Sequence, residues 1–227
     1  MFNKFILVLF FFSLTVFAGE VTKKFDFKDF QKVSVGSGMH VDISQSNSYS
    51  IEVKAEENDF KYLKVEQDGD EVKFYIDKRN FRSEDEINIK ISMPSLTGIG
   101  LSGGSIGKFN MDVSLNNFSC DLSGGSILKG SLKSSNLNLD LSGGSQLTLD
   151  GKGSNAEING SGGAIFQLKN FTVENADISL SGGSQVSINM NGTLNTSQSG
   201  GSQITYFGNA DIGNTSFSGG SGINKGD

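Results

Sequence analysis

The stretch that decides the fold is Leu137-Asn138-Leu139-Asp140-Leu141-Ser142-Gly143-Gly144-Ser145-Gln146-Leu147. On both sides of the Gly-Gly pair, apolar residues alternate with polar ones. Period two places successive side chains on opposite faces and so denotes a strand, while the pair of glycines marks a turn. The phrase Ser-Gly-Gly-Ser, or a close variant, begins at Ser102, Ser123, Ser142, Ser161, Ser181, Ser199 and Ser218, with gaps of 21, 19, 19, 20, 18 and 19 residues. A period near twenty indicates a solenoid whose units bury their apolar edges only against their neighbours.

The flanking positions specify the kind of solenoid. Three places before each motif stand Ile99, Cys120, Leu139, Ile158, Ile178, Thr196 and Thr215. One place before stand Leu101, Leu122, Leu141, Gly160, Leu180, Gln198 and Phe217, and five places after its first Ser come Gly107, Leu128, Leu147, Phe166, Val186, Ile204 and Ile223. These rows predict an all-β parallel β-helix with 19–20 residues per coil, a perimeter of roughly 65 Å and a rod of about 30 Å for seven coils. Asn117, Asn136, Asn155 and Asn175 recur six places before four consecutive motifs and predict a buried or half-buried corner ladder. Cys120, in an inward row, reads as a small apolar core residue rather than a reactive thiol.

Working outward, residues 98–227 form the regular coils and 19–97 a less regular N-terminal β region, expected to be continuous with the solenoid and to cap it. A separate small β-sandwich is the alternative for 19–97. Strand patterns there include Val33-x-Val35, Val41-x-Ile43, Ile51-x-Val53, Val72-x-Phe74-x-Ile76 and Ile87-x-Ile89-x-Ile91, with Gly36-Ser37-Gly38 as a turn and Asp77 to Glu86 as a solvated loop. Residues 1–18 read as a secretory signal peptide: Lys4 leads an apolar run from Phe5 to Phe17, and Val16-Phe17-Ala18 suits cleavage. That run is shorter than a membrane span, although an uncleaved anchor is the alternative. No transmembrane segment is expected in the mature chain, which is expected in the periplasm, at the cell surface or secreted.

Composition narrows the chemistry. The 227 residues carry a net charge of −6, with Arg79 and Arg82 the two arginines, which argues against nucleic-acid binding. One cysteine and one histidine leave no cysteine- or histidine-based metal site, and no cofactor motif is present. Glycine-linked calcium repeats need an Asp soon after the glycines, where this chain has Gln146 and Gln185. His40 reads as an ordinary strand histidine.

The outward row two places before the motifs is Gly100, Asp121, Asp140, Asn159, Ser179, Ser197 and Ser216. Asp121, Asp140 and Asn159 are its candidate binding residues, set against the plainer reading of a solvated polar face. Stacked one rung apart, Asp121 and Asp140 could also serve a polysaccharide lyase or hydrolase, but residues 101–227 contain no arginine to assist them. The expectation is therefore a non-enzymatic, exported binding module, whose partner would be a surface polysaccharide or another envelope component. A polysaccharide-active enzyme and a self-associating envelope scaffold are the alternatives.

The leader, the Phe30 to Gly38 stretch, Pro94-Ser95-Leu96 and the reiterated Ser-Gly-Gly-Ser phrases together resemble one bacterial family, the auto-transporter adhesins with a head GIN domain. The resemblance spans about residues 25–224. It implies a parallel β-helix and an adhesin-like role at the envelope, and it brings no catalytic residues with it. The membrane barrel of an auto-transporter is not seen in the sequence up to Asp227.

Overall fold

The computed structural model describes residues 19–227 apart from 80, 82 and 84. The segment read as a signal peptide lies outside the described residues. Eighteen strands and one short 3-10 turn make a parallel β-solenoid. The regular coils run through β8 (Gly98–Leu101), β9 (Ile106–Leu122), β10 (Ile127–Leu141), β11 (Gln146–Gly160), β12 (Ile165–Val173), β13 (Asn175–Leu180), β14 (Gln185–Met190), β15 (Thr193–Gln198), β16 (Gln203–Gly208), β17 (Asp211–Phe217) and β18 (Gly222–Lys225).

Two walls result. One is built from the segments that follow each Gly-Gly turn, the other from the segments that lead into the next. The long strands β9 to β11 cross from the first wall to the second. Parallel register then stacks residues about nineteen apart: Leu101, Leu122, Leu141, Gly160, Leu180 and Gln198 form one continuous inward row, as predicted. Gly160 interrupts the leucines because Leu180 and Phe166 fill its space; a Cβ there would lie 2.8 Å from Leu180 Cδ2 and 2.9 Å from the Phe166 ring. Cys120 is fully buried in the adjacent row, and burial pushes its thiol well above the ordinary range, so it stays a protonated packing residue.

The turn explains the four-residue phrase. The fourth position points inward, and Ser105, Ser126, Ser145, Ser184 and Ser202 are buried there. Each hydroxyl donates to the backbone carbonyl of the first Ser of its own motif, at 2.8 Å for Ser145 to Ser142. A buried hydroxyl without such a partner would be costly. The fourth motif has Ala164 here, which needs no partner. The first glycine of each pair lies at positive φ, +70° at Gly143 and +69° at Gly182, and successive turns stack through backbone hydrogen bonds such as Gly163 N to Gly143 O at 2.7 Å.

The N-terminal region obeys different rules. Its strands are β1 (Glu20–Phe25), β2 (Lys32–Val35), β3 (His40–Gln45), β4 (Ser50–Glu56), β5 (Leu63–Asp68), β6 (Glu71–Ile76) and β7 (Asn88–Met93). The rung β2–β3 lies between the rung β6–β7 and the first regular rung, pairing in parallel with both. Spatial order thus departs from chain order. Beyond β6 and β7 the pairing becomes antiparallel, with β5 on β6 and β4 and β1 beyond β7. The turn Asp59–Lys61 closes this end, with Phe60 packed against the core. Hydrogen bonding is continuous from these strands into the coils.

Candidate functional site

The chain order of each rung, outward residue then inward residue then Ser, dictates what the second wall shows to solvent. Ser34, Gly100, Asp121, Asp140, Asn159, Ser179, Ser197 and Ser216 stack in register as one outward row. The first serines of the motifs, Ser102, Ser123, Ser142, Ser161 and Ser181, form a second row two residues further on. Between the rows runs a groove of about 850 Å³ floored by the leucine row, with Lys73 and Tyr75 at its N-terminal end. Asp121, Asp140 and Asn159 are brought together here, on successive rungs.

The electrostatics of this groove are uneven. Burial, then the Asp140 carboxylate, then Glu71 raise Asp121 above the ordinary carboxylate range. Lys73 does not relieve it, being held by Asp68 at 3.2 Å and Glu71 at 3.3 Å. Ser34 donates to the same Glu71 carboxylate. Burial and a Glu66 contact push the Tyr75 phenol up. By contrast, the side chains of Asp121, Asp140, Asn159, Ser179 and Ser197 make no hydrogen bond within the described protein.

The neighbouring asparagine ladder is the opposite case. Asn117, Asn136, Asn155 and Asn175 stack in register, and the amides bond one to the next at 3.0, 2.9 and 3.2 Å. They are exposed, which corrects the expected buried or half-buried corner: the following residues Phe118, Leu137, Ala156 and Ala176 take the inward direction, so the amides face solvent and satisfy one another there. They line a second groove of about 800 Å³ with Asn138, Glu157 and Asp177. Its most regular donors and acceptors are already used.

Sequence reasoning found Asp121, Asp140 and Asn159 but missed Ser123, Ser142 and Ser161 as groove-lining groups, because the motif was read only as a turn. It also missed Ser34, Lys73 and Tyr75, whose approach depends on the out-of-order rung and has no local signature. His40 is half-buried, with Nδ1 3.2 Å from the Glu86 carboxylate. Among the described residues no group of three or more His, Cys, Asp or Glu could hold a metal ion. No helix among them is long and apolar enough to cross a membrane.

A succession of short parallel rungs, glycine turns and an open polar groove defines a β-helical surface module. The chain belongs to the family described as "Putative auto-transporter adhesin, head GIN domain", whose model matches residues 29–210. Its fold is similar to that of a putative adhesin from Bacteroides fragilis, with a TM-score of 0.85 at 20% identity over 92% of this chain and 97% of that one. A putative lipid binding protein from Parabacteroides distasonis (TM-score 0.72, 19% identity, 92% and 98% covered) and a putative adhesin from Parabacteroides merdae (0.72, 16%, 92% and 97%) share it. No curated protein matches the chain significantly.

Proposed function

We propose that this adhesin-family chain is an exported, non-enzymatic module that binds a surface polysaccharide or another envelope component along the Asp121–Ser197 groove. The observation that carries this reading is the contrast between the two polar faces. The asparagine ladder satisfies itself, whereas the groove offers two rows of unpartnered carboxylate, amide and hydroxyl groups repeated at each rung. A chain of sugars laid along the axis would meet one such set per coil, each contact weak and the series additive.

Two observations support binding over turnover. Asp121 and Asp140 project from one row, so neither faces the other across a bound sugar, as the acid and nucleophile or base of a glycosidase do. The nearby Lys73 is occupied by its own carboxylates. The acidic middle of the groove disfavours an anionic glycan and suits a neutral or amine-bearing one.

The test is a glycan-array screen of residues 19–227, repeated with Asn159→Ala and with Asp121→Ala/Asp140→Ala, beside a polysaccharide-degradation assay. Binding to neutral or amine-bearing glycans, weakened by both variants, supports the proposal. Binding that both variants leave intact would move the site off the groove. Turnover lost on Asp140→Ala would replace a binding module with an enzyme.

A further inference from the structure

The two ends of the solenoid are chemically unlike. At the N-terminal end the outermost strands are β1 and β5, and each has three charged residues in six: Glu20, Lys23 and Lys24, and Lys64, Glu66 and Asp68. Charged side chains on an edge strand discourage a further strand from pairing with it. The turn Asp59–Lys61 also closes over the core there, and the Lys23 ammonium lies 4.2 Å from the Phe60 ring.

Among the described residues, the last rung at the other end has none of these devices. β17 and β18 carry one charged residue each, Asp211 and Lys225. Every residue of β17 is exposed, so the inward rows do not close over here: Thr215 and Phe217 continue the rows of Thr196 and Gln198 but remain open. Among the described residues, three large apolar side chains are exposed, and two of them, Ile212 and Phe217 (45% each), lie on this one strand. One rung below, Gln198 is 3% exposed with both ends of its amide unpartnered, and the Thr196 hydroxyl is buried without a partner. β17 pairs only with β15 and β18 only with β16, which leaves one edge of each strand with unused backbone donors and acceptors.

We infer that this end is an interface with a second copy of the chain, formed end to end about a two-fold axis that passes through both walls. Such an axis lays β17 antiparallel against its own copy and β18 against its own copy at once, so a single operation satisfies both free edges. It brings Phe217 and Ile212 of the two copies into one apolar patch. Head-to-tail stacking would instead press this patch on the charged edges of β1 and β5, which is why the occupant is the same end of another copy. The end of a rod is a small surface, so the dimer is weak and concentration-dependent rather than obligate. This inference stands apart from the glycan reading, since it uses no groove residue.

The experiment is sedimentation equilibrium of residues 19–227 over a concentration series, with Phe217→Lys and Ile212→Lys run in parallel. The wild type is expected to move from one chain toward two with rising concentration, and each variant to remain at one. Circular dichroism melts in dilute solution, where the wild type is monomeric, check that the variants are folded. Asn214→Cys, at the middle of β17, is expected to form an intermolecular disulfide on oxidation, whereas Lys64→Cys at the far end is not; the native Cys120 is buried and does not interfere. A wild type that stays monomeric to its solubility limit overturns the inference. So does oxidation of the double variant Asn214→Cys/Lys64→Cys into open-ended polymers rather than dimers, which would mean head-to-tail stacking.

Discussion

The regular coils and the N-terminal strands share a sheet but not a logic. In the coils, chain order equals rung order, every pairing is parallel, and one phrase is reused at each turn. Before Gly98, a rung is inserted out of sequence, the outer pairs are antiparallel, and the turns differ. Charge follows the same division: every ion pair among the described residues involves at least one residue before Gly98, and none lies beyond Lys108. Solvent-exposed pairs contribute little stability, typically 0–1 kcal/mol each. They and the antiparallel hairpins make the first end distinct, so that the stack begins there and does not extend outward. The hydrophobic core, meanwhile, crosses the boundary unbroken, since Val33 stacks on Ile99, Cys120 and Leu139 in one row.

The largest effect expected is on that shared row. Leu139→Asp buries an unpaired charge and should cost at least about 3–5 kcal/mol, abolishing the cooperative melt by circular dichroism. Val33→Asp should do the same, because the inserted rung is equally buried. A mild Val33→Asp beside a severe Leu139→Asp would show two separable units rather than one core.

Next come the turns. Gly182→Ala places a Cβ 2.6 Å from the Gly162 carbonyl at φ +69°, whereas Gly69, in the β5–β6 hairpin, has φ +61° and nothing within 4 Å. The first substitution should therefore cost about 2–3 kcal/mol and the second about 1 kcal/mol, read from urea midpoints. Equal losses would mean that the stacked turns yield as easily as the free hairpin. Smaller again is Ser145→Ala, which loses a buried hydrogen bond and should cost about 1 kcal/mol; Ala164→Ser, which can add the same bond, should be near neutral or stabilising.

The smallest effect tests the groove. Asp121 is raised above the ordinary Asp range, so the folded chain holds its proton more tightly than the unfolded one does. Its unfavourable contribution is therefore fully present above the raised value and fades as pH falls toward the ordinary one. Asp121→Asn should raise stability slightly at neutral pH, by less than ~0.5 kcal/mol given its exposure and read as a small rise in melting midpoint, and the gain should vanish in acid. A gain that persists at low pH would assign it to packing instead of charge.

The coils were legible because a period of about nineteen turns stacking into a pattern visible along the chain: Leu122, Leu141 and Leu180 declare themselves neighbours. Strand segments before Gly98 were equally legible, since alternation is local. Their arrangement was not. Nothing near Val33 says that it sits on Ile99, because that pairing spans 66 residues and occurs once. The asparagine ladder shows the same limit at finer scale: periodicity predicted its stacking, but period two alone does not say which phase faces inward at a corner. The candidate residues Asp121, Asp140 and Asn159 were found as a row, and their groove emerged only with the serines opposite.

The inserted rung also governs how the molecule can be assembled and altered. Residues 32–45 find no seat beside Gly98–Asn110 until that later segment has emerged, so the first turns of this chain to appear are not the first that can be completed. Beyond that locked beginning, whole coils could be added or removed in steps of about nineteen residues, lengthening or shortening the groove like links in a chain. Cutting into residues 32–45 would instead pull out a course from beneath everything stacked upon it.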